Sequence, residues 1–438
     1  MRPWKFFRRT LRWVPPGTTP GIRIFKRPDR KKYHFNFKTY RPGRTLGRVT
    51  QVTPEDGAYI HSFFDICPFS PSQRYLAVTR LPFQHTEPVY GDTADVCVID
   101  LEEQTIETVY TTKGWGFQTG ANLNWGTTDR YLYAIEAVRG RSVCVRIDIE
   151  NKDYTIVPGP MYHLAPDESY IVGFPLDLIN ATQRGYGIPE DPENRRSLPK
   201  GAAGDEGLWK TDLVSFRKTL LVSLKDAAGE IPDIGRYRGG TFYFFHTKIN
   251  RQNTRVMQVV RYLSPWRRGL RRKNPHLITF KTDGSDIKLA VGRELWQRGG
   301  HHPNWHPDGN HLIQNLRPEG KALRFCQFKY DGSDLEILSS KHPGGGHPSI
   351  SPDGRYLITD AYPTEPVVLE NNEIPIRLLD ISSDEEAMIC SVHALGPGLK
   401  VLRLDPHPAW DRNYRKVCFN GAPEGVRQVF IADLSGIV

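Results

Sequence analysis

Three histidines occupy the same position of a repeated sequence pattern, and together they could bind a metal ion. His302, His347 and His407 each precede a proline, in the segments HPNWHPDG, HPSISPDG and HPAWDRNY. If each segment begins a strand around a common axis, the three imidazoles converge at one end of that axis. Imidazole nitrogens suit Zn²⁺, Mn²⁺ and similar divalent cations, so the spacing predicts a metal site.

Two further features support this site. Asp405 lies two residues before His407 and could supply an oxygen ligand, while His301 could replace or support His302. Glycines at 299–300 and 344–346 would let the backbone approach closely. A single His-Pro pair is usually only a turn, but three in one register favour a site for manganese or zinc, a choice that stays open.

These histidines need a scaffold that repeats, and the sequence contains one. An apolar or aromatic residue, a turn similar to Pro-Asp-Gly and an apolar strand recur seven times. Proline sets φ in such turns, and glycine accepts a positive φ. A third strand that ends in an Asp turn follows each copy. The copies begin at Phe69, Trp125, Leu164, Ile249, Trp305, Ile350 and Trp410.

The repeat predicts an all-β fold, a seven-bladed β-propeller over residues 45–438. The chain ends just after the third strand of the seventh copy. We therefore expect a strand near residues 48–53 to supply the missing outer strand, which would close the ring and remove its open edge. A tandem array without closure is the alternative.

The positive charge is concentrated in a separate N-terminal arm, residues 1–44. The net charge of the chain is +10, but the arm holds 14 Lys and Arg residues and one acid, Asp29. About −3 remains for residues 45–438, which argues against a nucleic-acid-binding propeller. Within residues 1–16, apolar side chains share one helical face with arginines among them, as expected for peripheral contact with an anionic membrane. A tail without fixed structure is the alternative.

The N-terminal sequence and the spacing of the cysteines indicate the cellular compartment in which we expect the protein. The first nine residues contain no apolar segment of the kind found in secretory signals, and no run of 18 apolar residues predicts a spanning helix. The six cysteines are widely spaced, as expected for free thiols in a reducing environment. We expect a cytoplasmic protein, with peripheral membrane contact through the arm as the variant.

Other polar residues lie where the blades begin or in long loops. His61, Gln118 and His246 precede the first, second and fourth copies, although each could be an ordinary strand-end residue. Tyr186 is flanked by glycines in a long insertion at 180–206, where a packed loop anchor is the alternative. Long loops in compact domains are often functional. Arg236 and Arg238 lie in the loop at 226–240. A hairpin at 262–276 carries Arg267, Arg268, Arg271, Arg272 and Lys273.

Several stretches resemble a known superfamily. They are WGFQTGANLNW at 115–125, GYG at 185–187, GGHPSISPDGRYLITDAY at 345–362 and LDPHPAW at 404–410. The chain resembles TolB-like propellers and, within them, oligogalacturonide lyases and propeller-type ulvan lyases. The resemblance implies β-elimination on uronic-acid oligosaccharides, in which a positive charge neutralises the carboxylate and a base removes the C5 proton.

The resemblance also implies roles for individual residues. His302, His347 and His407 resemble the histidine pattern that binds manganese in oligogalacturonide lyases, and Tyr186 resembles the proton-transferring tyrosine of ulvan lyases. The base is unassigned, and the alternative is a non-catalytic, TolB-like propeller that binds a protein or an acidic glycan. The partner implied is an acidic oligosaccharide, and the oligomeric state is open. The remaining candidates are His246 and Arg238 for catalysis, and His61, Gln118 and Arg236 for substrate binding.

Overall fold

The computed structural model describes residues 31–266, 273–370, 373–395 and 401–438. The predicted helix and membrane contact of residues 1–16 lie outside these ranges. Four arginines of the 262–276 hairpin also lie outside them, namely Arg267, Arg268, Arg271 and Arg272.

The described chain folds into seven antiparallel sheets, each of which is one blade of a β-propeller. In six blades the four strands follow one another along the chain, as the repeat predicts.

The N-terminal strands are β1 (Lys32–His34), β2 (Lys38–Thr39) and β3 (Arg48–Gln51). Blades one to three contain β4 (Ala58–Ile60), β5 (Tyr75–Leu81), β6 (Ala94–Asp100), β7 (Thr105–Thr112), β8 (Asn124–Trp125), β9 (Tyr131–Val138), β10 (Arg141–Asp148), β11 (Asp153–Val157), β12 (His163–Leu164), β13 (Tyr170–Gly173), β14 (Gly207–Asp212) and β15 (Lys218–Ser223). Blades four to seven contain β16 (Thr241–Ile249), β17 (Arg255–Leu263), β18 (Pro275–Lys281), β19 (Lys288–Val291), β20 (Gly300–Trp305), β21 (His311–Leu316), β22 (Arg324–Lys329), β23 (Glu336–Ile337), β24 (Ser349–Ile350), β25 (Tyr356–Thr359), β26 (Glu373–Asp380), β27 (Glu385–His393), β28 (Ala409–Trp410), β29 (Lys416–Gly421) and β30 (Gln428–Asp433).

The seventh blade closes the ring with a strand from the N-terminal side. The order of this sheet is β2-β3-β30-β29-β28, and Val49 pairs with Ala432 in antiparallel register. The predicted closure by a strand near residues 48–53 is confirmed. Residues 31–44 add more than a tail, because β1 extends the first blade beside β7 and β2 extends the seventh blade beside β3.

Two side-chain contacts explain why the repeat has the residues it has. In three copies an arginine at the start of the second strand pairs with the Asp that ends the third strand, which ties the two strand ends together. The pairs are Arg74–Asp100, Arg130–Asp148 and Arg355–Asp380. In three copies the tryptophan of the first strand donates its indole N–H to a backbone carbonyl of another blade, as Trp305 does to Lys248 at 2.9 Å. Both contacts satisfy polar groups while the apolar faces of the blades pack.

Helical structure in the described residues is short and lies between strands. The segments are Leu176–Ile179, Leu224–Gly229, Arg293–Trp296 and the 3-10 turn Ile234–Arg236. None of the described helices is long and apolar enough to cross a membrane. All six cysteines are free thiols, and all but the half-buried Cys67 are buried.

The first strands of the blades line an axial channel with two ends. We call the end at which these strands begin the upper mouth and the end at their turns the lower mouth. After β4, the segment 61–65 crosses this channel, and the rings of Phe63 and Phe64 lie at its centre. Phe63 contacts histidine rings of blades four, five, six and seven. The two mouths are therefore separated by an aromatic layer.

Candidate functional site

Four blades, not three, bring a histidine to the upper mouth. In each, the histidine stands three residues before the residue that begins a copy of the repeat. Three of the four have a left-handed backbone, with φ between 51° and 59°. At two of them the strand register shifts, and such a bulge turns a side chain away from its normal direction. The four are His246, His302, His347 and His407.

The imidazoles pack closely together above Phe63. The ring centroids of His302 and His347 are 3.8 Å apart, and those of His347 and His407 are 4.3 Å apart. The Phe63 ring lies 4.5 Å from His407 and 5.2 Å from His246. The convergence that the His-Pro register predicts is present in the structure.

One fully buried carboxylate orients two of these histidines. Asp360 accepts hydrogen bonds from the backbone N–H groups of His347 and His407 and from Nδ1 of His347 at 2.8 Å. Since a carboxylate only accepts, Nδ1 of His347 carries a proton, and Nε2 is the ring nitrogen that can face a ligand. A carboxylate behind an imidazole is the usual support of a histidine that binds a metal.

Gly346 brings the backbone close to this group. Its φ is +57°, and a Cβ at this position would lie 2.2 Å from the carbonyl oxygen of Asp360. Its own carbonyl oxygen accepts hydrogen bonds from Nδ1 of His302 at 2.8 Å and from Asn315. The glycine-rich segment therefore allows the close approach that the sequence predicts.

Three of the four predicted ligands form a group that fits a divalent cation. One ligand atom each from His347, Asp405 and His407 lies within 4.8 Å of the others, and all three residues are buried. Nε2 of His347 and both ring nitrogens of His407 are buried and have no hydrogen-bond partner among the described residues. Buried polar atoms normally have a partner, so a cation bound by two imidazoles and a carboxylate would complete this group.

The electrostatics of this group also favour a positive ligand. Burial raises the pKa of Asp405, and the nearby Arg403 opposes that rise. Burial lowers the pKa of His407 well below its usual value, so its ring is neutral and its nitrogens can act as ligands. A divalent cation would stabilise the Asp405 carboxylate and use the neutral imidazoles.

His302, the fourth predicted ligand, lies beside the group with both ring nitrogens occupied. Nδ1 lies 2.8 Å from the carbonyl oxygen of Gly346, and Nε2 lies 3.0 Å from Oη of Tyr362. Nδ1 therefore carries the proton and Nε2 accepts from the Tyr362 hydroxyl. The structure thus places His302 as the partner of a phenol rather than within the three-residue group.

A cleft of about 480 Å³ opens at the upper mouth beside this group. Four basic side chains line it: Arg184, which pairs with Glu87, Arg261 of β17, Lys273 before β18, and Arg403. Arg403 pairs with Asp405 at 3.0 Å, whereas no described acid pairs with Arg261 or Lys273. Burial, together with the nearby charges of Arg261 and Arg403, lowers the pKa of Lys273 to about 8. The cleft is therefore electropositive and suits an anion.

Phenols and an imidazole line the same cleft. Tyr186 lies beside Arg403, with 3.3 Å between its Oη and the guanidinium, and its ring packs on Phe245 at 4.9 Å. Nδ1 of His246 is held by the buried hydroxyl of Tyr162, which leaves Nε2 for a ligand. Burial lowers the pKa of His246 well below its usual value, so its ring is neutral.

The other predicted residues lie outside the lining of the cleft. His61 is fully buried beside the backbone of Pro406 and His407, and burial lowers its pKa to about 4. Gln118 donates to the carbonyl oxygens of Val401 and Arg403, so it supports the segment that carries Arg403. Arg236 is exposed and pairs with Asp233, and the side chain of Arg238 donates to Gly235.

Sequence reasoning missed Arg261, Tyr362 and Arg403 as residues of the site. Arg261 had a signal, since it is a lone charge in the apolar run VMQVVRYL of β17. Tyr362 is the last residue of the stretch at 345–362, but it does not belong to the repeated pattern, so the repeat gave no signal for it. Arg403 lies in an irregular segment before His407, and only the folded chain brings it to Tyr186.

The lower mouth has different chemistry. A cavity of about 340 Å³ is lined by the ends of the first strands, with Lys248 and Asp65 at its inner end. These two residues are buried and their charged atoms lie 3.4 Å apart. The Lys248 ammonium also lies 3.9 Å from the Phe64 ring. The two buried charges at this mouth therefore neutralise each other.

Comparisons with known proteins identify the fold. No protein-family model and no curated protein sequence matches the chain. Among solved structures, an oligogalacturonate lyase in complex with manganese is 16% identical, with a TM-score of 0.65 over 92% of this chain and 97% of that one. An oligogalacturonate lyase from Vibrio parahaemolyticus has the same identity and score and covers 98% of its chain. TolB from Acinetobacter baumannii is 11% identical, with a TM-score of 0.41 over 84% of this chain and 81% of that one. The resemblance to these propellers is thus found at the level of the fold.

Proposed function

We propose that this chain is a lyase-type propeller that cleaves uronic-acid-containing oligosaccharides by β-elimination, with a divalent metal held by His347, Asp405 and His407. The observation that carries the proposal is an electropositive cleft whose lining residues His302 and Arg403 contact the group with the unpartnered imidazole nitrogens, His302 at His347 and Arg403 at Asp405. One similar solved structure is an oligogalacturonate lyase in complex with manganese, which supports both the metal and the substrate class.

The first requirement of this reaction is a positive charge at the substrate carboxylate. Removal of the C5 proton places negative charge on the carboxylate, so cations that stabilise this charge lower the barrier. Arg403 and Lys273 line the cleft and can bind the carboxylate, and Arg261 lies on its wall. A bound metal at His347, Asp405 and His407 would add positive charge at the same point.

The second requirement is a proton acceptor, and His246 is our candidate. It is neutral, it lines the cleft, and the Tyr162 hydroxyl fixes its ring through Nδ1. In this proposal Nδ1 of His246 carries the ring proton and donates a hydrogen bond to the hydroxyl oxygen of Tyr162, so Nε2 has a lone pair. Nε2 then accepts the C5 proton, the C4–C5 double bond forms, and the bond from C4 to the bridging oxygen breaks.

The third requirement is a proton for the leaving oxygen. Tyr362 lines the cleft with its hydroxyl held by Nε2 of His302, and Tyr186 lies at the other side beside Arg403. We assign the donor role to Tyr186, the residue that the resemblance suggested, because the Arg403 guanidinium donates to its hydroxyl oxygen and leaves the hydroxyl hydrogen for the leaving oxygen. The charge of Arg403 would stabilise the phenolate that remains. The hydroxyl of Tyr362 already donates to Nε2 of His302, so Tyr362 holds that ring in place.

The non-catalytic alternative is not favoured by these residues. A propeller that only binds a partner protein should present an exposed apolar patch at its upper mouth. The cleft there is instead lined largely by cations, imidazoles and phenols, which suit an acidic sugar.

The test combines metal analysis with an assay for product. We expect one stoichiometric divalent metal in the purified protein and a rise in ultraviolet absorbance, from unsaturated uronate, on polygalacturonate or another uronan. The His347→Ala/His407→Ala double variant should lose both, and His85→Ala, which removes an exposed histidine, should lose neither. Metal without any absorbance change on a panel of uronans would contradict the lyase. A protein that binds no metal would contradict the three-residue group.

A further inference from the structure

The upper rim of the fourth blade carries a tryptophan that the fold does not cover. Trp266 is 85% exposed, in the hairpin between β17 and β18. Most large aromatic side chains in the described ranges are buried, as Trp115 and Trp296 are. An exposed indole adds nothing to the core, and at the rim of a cleft it offers a flat apolar face with an N–H donor at its edge to a ligand.

The neighbouring loop adds an apolar side chain and basic groups to the same surface. A Cβ on Gly239 would lie 3.8 Å from Nε1 of Trp266, and the hydroxyl of Tyr262 donates to the carbonyl oxygen of Arg238 at 2.6 Å. The loop is thus attached to the hairpin. We call the exposed residues of these two segments the rim surface: Ile234, Arg236, Arg238 and Trp266.

The charge of the rim surface favours an anion. Arg236 pairs with Asp233 at 3.1 Å, so the carboxylate partly neutralises its charge. Arg238 donates only to the carbonyl oxygen of Gly235 and has no acidic partner in the described ranges. A guanidinium beside an exposed indole suits a ligand that is both flat on one face and negatively charged.

The rim surface lies within reach of the cleft. The hairpin that carries Trp266 also carries Arg261 on its outgoing strand and Lys273 on its return, and both of these line the cleft. Five residues separate Arg261 from Trp266, which limits the distance between their Cα atoms to at most about 18 Å. A ligand several sugar units long could therefore contact the cleft and Trp266 together.

We infer that the rim surface binds the distal units of an acidic polysaccharide whose terminal units occupy the cleft. The apolar face of a pyranose ring would pack on the Trp266 indole, and Arg238 would bind a carboxylate. The choice of an acidic sugar rests on the proposed function. The rim contact itself needs neither the metal nor turnover, and it predicts that chain length, and not only the sugar type, determines affinity.

The test compares a long and a short ligand. Dissociation constants for polygalacturonate and digalacturonate would be measured by titration calorimetry at 4 °C, with unsaturated uronate followed in the same samples. We expect Trp266→Ala to weaken polygalacturonate binding about tenfold and to leave digalacturonate binding within about twofold. Trp266→Phe should restore most of the affinity, because it keeps a flat aromatic face.

Val214→Ala is the matched control, because Val214 is 88% exposed in a turn of the third blade. It should leave both constants unchanged. If Trp266→Ala binds the polymer as tightly as the wild type while unsaturated product still forms, the rim inference fails and the lyase proposal stands. If no product forms but Trp266→Ala still weakens polymer binding, the lyase proposal fails and the rim inference stands. Failure of the wild type to bind the polymer, or binding to anionic lipid vesicles in its place, would overturn the rim inference.

Discussion

The two mouths of the axial channel are built by the same seven first strands, yet they use buried charge in opposite ways. At the lower mouth Lys248 and Asp65 pair with each other, 3.4 Å apart. At the upper mouth the imidazoles of His347 and His407 keep nitrogens without partners, and cations line the cleft beside them. The charges of the lower mouth are balanced within the chain, although the side chains of Lys248 and Asp65 make no hydrogen bond to the described residues, whereas the upper mouth presents cations and imidazole nitrogens that suit a ligand.

This difference separates stability from function. Removing one residue of a buried ion pair leaves the other charge buried without a counter-charge, which lowers the stability of the folded protein. Buried groups without partners cost stability and are kept where they bind something. Changes at the lower mouth should therefore appear in unfolding experiments, and changes at the upper mouth should appear in metal content and activity.

The largest effect is expected from breaking the pair at the lower mouth. Asp65→Asn leaves the Lys248 ammonium buried without a counter-charge, which should reduce the free energy of unfolding by about 3–5 kcal/mol. The double variant Asp65→Asn/Lys248→Met should recover most of that loss. Denaturant titration measures both, and a loss of metal without a loss of stability in Asp65→Asn would reverse the comparison.

The next effect is expected at the upper mouth. Asp405→Asn keeps the shape of the side chain but removes the negative charge from the predicted metal group, so metal affinity should fall by at least about 100-fold. Turnover should fall on the order of 100- to 1,000-fold, since charge stabilisation of the reacting carboxylate is lost. The protein should remain folded. Metal titration and the absorbance assay test this, and unchanged metal affinity would exclude Asp405 as a ligand.

A smaller effect distinguishes the mouths through pH and stability. Burial lowers the pKa of Lys248 to about 8, so the folded state loses its proton near pH 8 and the unfolded state near pH 10.5. Between these values the unfolded state binds more protons, and stability should rise with pH by on the order of 2 kcal/mol. Lys248→Met should remove this part of the rise. Urea titrations from pH 7 to pH 10.5 would measure the free energy of unfolding of both proteins. If it depends on pH in the same way in the wild type and in Lys248→Met, Lys248 is not the titrating group.

The smallest effect concerns the lysine of the upper cleft, whose pKa is also lowered to about 8. Lys273 is charged below that pH and neutral above it, so affinity for an acidic oligosaccharide should fall by up to about tenfold as the pH rises from 7 to 9. Lys273→Arg stays charged throughout and should make this part of the binding independent of pH. Dissociation constants for digalacturonate at three pH values decide it, and an equal fall in both proteins would place the titrating group elsewhere.

The fold could be predicted from the sequence because the patterns that specify it lie within short segments of the chain. The Pro-Asp-Gly turns, the apolar strands and the terminal Asp of each third strand recur seven times, and each acts within one blade. Even the closure followed from the sequence, since a chain that ends after a third strand lacks one outer strand and a strand-like segment stands near residue 48.

The site was readable only in part. The His-Pro register predicted that His302, His347 and His407 converge, because equivalent positions of a closed ring meet at its axis. The register of His246 is the same, but the Thr that follows it hides the resemblance to the His-Pro segments. The separation of His302 from the metal group depends on Tyr362, a residue 60 positions away whose hydroxyl occupies its Nε2.

By itself the sequence determined the number of blades, the closing strand and the ring of histidines, since each follows from a repeated local pattern. Only the tertiary structure decided which imidazole nitrogens of these histidines lack a hydrogen-bond partner. The Asp360 carboxylate orients His347 and His407, Tyr362 occupies His302, and irregular loops bring Arg403 and Tyr186 together. These contacts join residues far apart in the chain without any repeat, so they arise only when the blades close around the axis.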